Sequence, residues 1–515
     1  MDHKKSIINV STSILSRILL LLLAVFVRRL LIQHIGNDVN GLISLYTSII
    51  GMLAVAELGI GSAITYSMYK PIVDRDVRQV SALYQLYKRI YRLIGVVILI
   101  GGLIVLPFLP YLINDYEELN FNVYIPFLLT LVSVVLTYLY GAKTALIQAH
   151  KNNYITTGIV TVASLIRYAL QIITIIIWKS YTIYLICQIV ETIVIWLLTE
   201  IVVCRQYGEI IAGPKKNIGT GTIFEIKKNI KAMFMHKVGA VLVNTIDSLI
   251  ISAFIGVVLL GKYSNYTLIV GVIASIITLF FTPLTSVIGH LCAAGNVKEI
   301  KKWFDWFYSL NFVLGVIFFL GYYAIIDYVV ILFFGPGLEV ARVISLIITL
   351  NQFTMFMRKT ALLFRDASGT FYYDRWKPIG EGIANLILSL VFVQVFPEDL
   401  RIVGVIVATI ITTLLICHVV DPYVVFKHAF RMPVKEYYIR NYSYIGLFTL
   451  ALILMTYLTR LDSSPVIGIL QNGFISLGVS FITLGIVAIL DKTFRAEVCT
   501  MGRIAMEWSR RVKHG

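Results

Sequence analysis

Charge is what this chain has least of. Of its 515 residues only 14% are Asp, Glu, Lys or Arg, while 58% are hydrophobic and the mean hydropathy is +0.85. Soluble proteins carry about 25% charged residues. A chain this poor in charge cannot wet the surface of an aqueous globule, so its solvent must be lipid. Cysteine is scarce as well. Cys187, Cys204, Cys292, Cys417 and Cys499 are odd in number and scattered. That excludes a disulfide framework, and no metal-ligand spacing appears among them. Catalytic signatures are missing too. The sequence has no H-E-x-x-H, no G-x-x-x-x-G-K-[ST] and no G-x-S-x-G, and its eight His are dispersed. The common zinc-hydrolase, ATP-hydrolysing and serine-hydrolase machineries are thereby excluded. The sequence points to a non-enzyme with no metal and no cofactor.

Long apolar runs take the place of charge. A membrane span needs about 20 mostly apolar residues. On that measure fourteen segments qualify: 8–31, 42–68, 93–113, 122–147, 154–177, 181–203, 233–255, 261–287, 306–334, 340–364, 379–396, 401–425, 442–459 and 466–490. The runs are continuous rather than alternating, which excludes a β-barrel. The first run follows Lys4 and Lys5 but is too long for a secretory leader, and no small-residue cleavage site follows it. It reads as an uncleaved first span.

The few charges are unevenly spread. Lys and Arg number 44 against 28 Asp and Glu, a formal net charge of +16. The connection after the second span holds Lys70, Arg75, Arg78, Lys88, Arg89 and Arg92, whereas the one after the third holds Asp115, Glu117 and Glu118. This alternation continues along the chain, and about 35 of the 44 bases fall on the side shared by both termini. Basic loops face the cytoplasm, so both termini of this multi-pass protein are expected there. The same bases suit contact with anionic lipids. They are spread over many short loops rather than one patch, so nucleic acid is not expected as a partner.

One segment occurs twice. IGNDVNGLISLYTSIIGMLA (Ile35 to Ala54) and IGVVLLGKYSNYTLIVGVIA (Ile255 to Ala274) share nine of twenty positions without a gap, at an offset of 220. Six expected spans separate the copies. An even number gives both copies the same orientation, so the repeats are parallel. The expected architecture is all-α: an N-terminal six-helix bundle (1–204), an amphipathic linker on the cytoplasmic side (205–232), a C-terminal six-helix bundle (233–426), and two further helices with a basic tail (427–515). Parallel repeats in a membrane protein usually place a pathway between them.

The first hundred residues carry a more specific signature. It comprises the IG-x4-GL turn at Ile35, the AELGIGSA run ending at Ala63, the YKP tripeptide Tyr69–Pro71 and a Tyr-rich basic segment reaching Arg92. NTIDSLIISAFIG followed by GKYSNY, and EGIANLILSL beginning at Glu381, extend it into the second half. These strings resemble Wzx-type polysaccharide flippases of the MOP exporter superfamily, which also contains the MATE exporters. The resemblance implies two six-helix bundles that alternate between inward- and outward-open states. The implied cargo is an undecaprenyl-diphosphate-linked oligosaccharide for capsule, O-antigen or exopolysaccharide, with a polysaccharide polymerase and chain-length machinery as partners. A lipid II flippase and a cation-coupled drug exporter are the alternatives. A membrane-embedded glycan polymerase fits less well, because every outer loop is short.

A diphosphate cargo needs cations, and ionisable side chains inside spans cost about 2.5–3.5 kcal/mol each, so they face a cavity or a partner. The candidate binding residues are Arg17, Arg28, Arg167, Lys237, Arg358 and Lys359. Arg17 and Lys237 are themselves 220 apart, which places a cation at equivalent positions of the two repeats. Tyr46 and Tyr266, also equivalent, are candidates to stack on sugar rings. Glu57, Glu191, Asp247 and Glu381 are the acids through which H+ or Na+ would couple to export, or which neutralise the arginines instead. The membrane potential is a second driving force. With the cytoplasm negative it favours outward movement of an anion by about 2.3 kcal/mol per charge per 100 mV.

Overall fold

A computed structural model describes residues 2–57, 60–114, 116–119, 121–213, 238–239, 241, 245–281, 288–289, 291–292, 296–459 and 464–500. Among them there are helices, turns and short connections, and no strand. Ten helical stretches are long and apolar enough to cross a membrane. The described part of each of the fourteen expected segments falls mainly on helix. The architecture is that of an all-α polytopic membrane protein.

In chain order the helices of the first half are α1 (Asp2–His34), α2 (Asn37–Leu53), α3 (Ile60–Val73), α4 (Val77–Val105), α5 (Tyr124–Ala149), α6 (Asn153–Ile177) and α7 (Tyr181–Ala212). They are followed by α8 (Thr245–Phe254), α9 (Val257–Phe281), α10 (Val297–Phe334), α11 (Arg342–Met357), α12 (Lys359–Ala367) and α13 (Lys377–Val395). Last come α14 (Arg401–Thr412), α15 (His418–Val424), α16 (Lys435–Leu458) and α17 (Pro465–Leu490). The expected span 42–68 is two helices, α2 and α3, with a 3-10 turn over Ala54–Glu57 between them. The expected span 401–425 runs on to Phe430 and contains two π-helical segments, Thr413–Cys417 and Val425–Phe430.

The chain packs as two compact units, 1–264 and 265–515. In the first, α1 lies on α6, α6 and α5 lie on α7, and α4 lies on α5. In the second, α10 runs against α11 and α17, and α13 against α14.

The 220-residue repeat is a repeat of structure. Asn37 and Val257 begin α2 and α9, and each is preceded by a glycine with positive φ, Gly36 at 140° and Gly256 at 127°. Both glycine N–H groups donate to carbonyls that are again 220 apart, those of Leu31 and Ile251. Tyr46 and Tyr266 are both fully buried. The Tyr46 hydroxyl donates to the carbonyl of Val123, which leads into α5, at 2.8 Å. The Tyr266 hydroxyl accepts the N–H of Val340, which leads into α11, at 3.2 Å. Each tyrosine thus ties its own copy to a helix that begins two copies of the same local plan.

Within the first unit the two copies touch. A Cβ on Gly41 would lie 1.9 Å from the Val257 carbonyl oxygen, and one on Gly261 would lie 2.4 Å from that of Asn37. Small residues allow such backbone approach between membrane helices. Polar side chains then bridge the crossing. Asn37 Nδ2 donates to the Val258 carbonyl at 2.8 Å and Asn40 Nδ2 to the Gly261 carbonyl at 2.9 Å. Arg28 donates to Asn40 Oδ1 at 2.6 Å and to Ser264 Oγ at 2.9 Å.

The C-terminal hairpin of the second unit docks through a stripe of small and polar residues. Gly468, Asn472, Ser476, Ser480 and Thr483, spaced three or four apart on one face, make up most of the buried positions of α17, with Val479 and Val487. Gly468 sits against the Tyr328 ring, where a Cβ would come within 2.2 Å. Residues 492–500 are helical and return to the bundle end, with Phe494 1% exposed among the aromatic side chains. Arg440 holds this segment through Asp491 at 2.8 Å and Glu497 at 3.0 Å. Burial works against the Asp491 carboxylate, but bonds from the Tyr444 hydroxyl and the Phe494 N–H, with the Arg440 guanidinium, hold its pKa below the usual carboxylate range. A depressed folded-state pKa makes this contribution full above about pH 3.9 and removes it as pH falls further.

Two predictions follow the glycine crossing. Gly41→Leu forces a side chain onto a backbone oxygen, which no rotamer change relieves, and overpacking of even softer sites costs about 1–3 kcal/mol. The variant should lose its monodisperse peak in size-exclusion chromatography. Gly271→Ala, a repeat glycine with nothing within 4 Å of the added carbon, should elute and melt like the parent.

Candidate functional site

Helical spacing assembles a cavity of about 520 Å3 inside the first unit. On α3, Gly61, Thr65 and Tyr69 are four residues apart. On α4, Tyr87 and Tyr91 repeat that spacing. On α5, Tyr138, Gly141, Ala145 and Gln148 follow at intervals of three and four. Each set therefore lines one helix face. Thr137, Tyr140, Thr144 and Glu57 complete the described lining. The glycines make the room: a Cβ on Gly61 would lie 2.5 Å from the Tyr91 hydroxyl, and one on Gly141 would lie 2.7 Å from the Tyr91 ring. The Tyr91 hydroxyl donates to one oxygen of Glu57, and the Tyr138 hydroxyl donates to the other at 2.9 Å. Tyr69 and Gln148 are exposed at the mouth. Glu57 was expected from its place in a motif; the phenols around it were not singled out.

Two of the expected cations and two of the expected acids meet as pairs. Arg167 lies 2.9 Å from Glu191, which also accepts the Ser164 hydroxyl at 2.5 Å, and the guanidinium covers the Tyr168 ring. Arg358 lies 3.4 Å from Glu381. The second pair belongs to a larger network in the second unit. Asp421, 0% exposed, accepts from Lys377 at 2.6 Å and Arg358 at 3.2 Å, with Arg365 at 3.9 Å. Arg365 also holds Asp374 at 2.7 Å. Three cations thus face three buried carboxylates. Both π-helical segments flank the Asp421 turn, and such segments often mark functional positions. His418, one turn before Asp421, receives the Asn441 amide at 3.0 Å and bonds the Thr354 carbonyl at 3.0 Å. The pattern of partners gives a neutral imidazole with its proton on Nε2.

Asp421 could have been found from sequence. It is an acid inside an apolar segment, followed at once by Pro422. Lys377 and Arg365 lie just outside the expected spans 379–396 and 340–364, so span boundaries hid them.

The remaining candidates lie apart. Arg17 is exposed, with no hydrogen bond or ion pair among the described residues. Arg28 braces the glycine crossing. Lys359 sits over the Phe356 ring at 5.2 Å. Asp247 is buried in α8. Tyr46 and Tyr266 are core residues whose hydroxyls are engaged. Lys237 and the linker 214–232 lie outside the described residues.

A family model described as polysaccharide biosynthesis protein matches residues 4–288, more than half of the chain. The chain belongs to this family. No curated protein matches its sequence. Among solved structures it is similar to the lipid II flippase MurJ in an inward closed conformation, with TM-score 0.61 and 14% identity over 92% of this chain and 98% of that one. It is also similar to a multidrug resistance MATE transporter of the MOP superfamily in an inward-facing conformation, with TM-score 0.59 and 13% identity over 83% and 94%. A Vibrio cholerae MATE transporter, VcmN, aligns with TM-score 0.52 and 12% identity over 78% and 98%. At such identities the likeness shows the fold, which is that of the MOP exporters. The family member described here is a multi-pass membrane protein of polysaccharide biosynthesis with a transporter fold.

Removing the shared anion of the second-unit network should be costly. Asp421→Asn leaves Lys377 and Arg358 short of a counter-charge, and breaking a buried pair costs about 3–5 kcal/mol. The melting temperature in detergent should fall, and Lys377→Met added to Asp421→Asn should recover part of the loss.

Proposed function

We propose that this protein carries an undecaprenyl-diphosphate-linked oligosaccharide from the cytoplasmic to the outer leaflet by alternating access. The observation that carries the reading is the family match over residues 4–288, which covers all but the first three residues of the first unit and so includes the Glu57 cavity. The chemistry of such a cargo divides into a glycan, a diphosphate and a tail. Phenols, hydroxyls, an amide and one carboxylate suit the glycan. Arg17 suits the diphosphate: it is exposed and has no partner among the described residues, whereas Arg167 and Arg358 are already matched by acids. The exposed apolar helix faces, such as Leu470, Phe474, Leu477 and Phe481 on α17, suit lipid.

The drive in this reading is the membrane potential, which acts on the diphosphate directly. A coupling H+ or Na+ would act through Glu57, since Glu191 and Glu381 serve the arginines. The basic loops orient both termini to the cytoplasm, and the exported unit would pass to a polymerase and its chain-length partners.

Purified protein in proteoliposomes tests this. A fluorescent undecaprenyl-diphosphate oligosaccharide placed in the outer leaflet should become protected from an added glycosidase, without growing in length. Imposing a potential should change the rate in the direction set by its sign. Arg17→Ala should slow flipping at least tenfold while inserting and melting normally. If no polyprenyl-diphosphate sugar moves, the reading is wrong.

A further inference from the structure

The Glu57 cavity is more selective than a general polar pocket. Of its described lining residues, Glu57 alone is a carboxylic acid; the others are Tyr, Thr, Gln, Gly and Ala. No described lining residue is a base. Each carboxylate oxygen of Glu57 takes one phenol proton, from Tyr91 and from Tyr138. A carboxylate offers about four acceptor positions, so acceptor capacity remains on both oxygens. Tyr87 and Tyr91 stand with ring centroids 4.4 Å apart and 31° between planes, and Tyr138 follows at 5.5 Å from Tyr91. These three rings are themselves buried around the carboxylate, and the exposed ring of the lining is Tyr69 at the mouth. The volume of about 520 Å3 lies within the range of about 300–1,000 Å3 for small-molecule sites. From Gly61 to Tyr69 the α3 wall is eight residues, or about 12 Å, long.

We infer that this cavity is a saccharide subsite that accepts uncharged or aminated pyranose rings and rejects acidic ones. The inference rests on the flippase reading and gives its glycan a chemical class. A pyranose presents an apolar C–H face, which suits an exposed aromatic ring such as Tyr69, and edge hydroxyls, which donate to a carboxylate. An amino group on the ring adds an attraction to Glu57. A uronic acid or a sugar phosphate would instead bring a second anion to Glu57, with no described lining cation to offset the repulsion. Like charges at a partly desolvated site are a strong means of rejecting a wrong partner. Glu57 acts here through charge and acceptance, Tyr138 and Tyr91 by fixing its two oxygens, and Gln148 as a polar contact at the mouth.

Saturation-transfer NMR on the full chain in nanodiscs tests the inference, with N-acetylglucosamine, glucosamine, glucuronic acid and tetramethylammonium as separate probes. The two non-acidic sugars should show transfer at millimolar concentration, and glucuronic acid at least tenfold less at equal concentration. Glu57→Gln should shrink this discrimination to below threefold, and Tyr138→Phe should weaken N-acetylglucosamine. Melting temperature and elution volume certify the fold of each variant. Should Glu57→Gln not fold, Gln148→Leu at the exposed mouth should still weaken the neutral sugar severalfold. Equal transfer to glucuronic acid, transfer to tetramethylammonium but to no sugar, or folded variants that bind as the parent does would each overturn the inference. The flipping assay run in parallel separates the two readings. Flipping without sugar binding removes the subsite alone, and selective sugar binding without flipping removes the transport reading alone.

Discussion

Two helices pass so closely at Gly41 and Gly261 that each backbone fills the space a side chain would need. Most of the first unit's order can be traced from that contact. The approach brings carbonyls of α9 within reach of Asn37 and Asn40, and it lets Arg28 on α1 reach Ser264. Lipid offers no hydrophobic force to press helices together, so close packing and interhelical hydrogen bonds must do it. The glycines provide the first and make the second geometrically available. With α2 fixed at one end, Tyr46 on the same helix reaches the start of α5, whose face carries Tyr138 and Gly141 into the cavity.

Several charged side chains of the described interior are matched close to home. Arg167 has Glu191, and Lys143 has Glu200. Asp421 gathers two close cations and lies near a third. Arg440 binds the returning C-terminal segment through two acids. Against this background Glu57 stands out. Its two oxygens are met by phenols rather than by a cation, beside the cavity of the first unit. A neutral donor orients a carboxylate without cancelling it, so the charge stays available to whatever enters.

The helices were legible because lipid imposes length and apolarity on every span, and both are one-dimensional properties. Breaks were harder. The α2–α3 interruption and the π-helical turns around Asp421 come from local backbone preference and from packing, neither of which hydropathy records. The repeat was legible because Gly36 and Gly256 are needed for the same positive-φ turn. Site residues divided along a similar line. Arg358 with Glu381 and Arg167 with Glu191 were visible as ionisable groups in apolar runs. Their pairing was not, because it depends on which helices are neighbours. Tyrosines 87, 91 and 138 were lost among 30 tyrosines, since nothing in the sequence distinguishes a cavity wall from an ordinary packed ring.

The glycine crossing has one more property. Gly41 meets Val257, and Gly261 meets Asn37. Position 257 is the counterpart of 37, and 261 of 41, so each copy offers the other the same patch it receives. Reciprocal contact of this kind is what two identical subunits make about a two-fold axis. The crossing is therefore reciprocal in its backbone, with each glycine facing the first residue of the other copy's helix. The side chains around it have diverged, Asn37 and Asn40 standing against Val257 and Leu260, while both glycines are kept, so a larger residue at either one would collide with the backbone of the other copy.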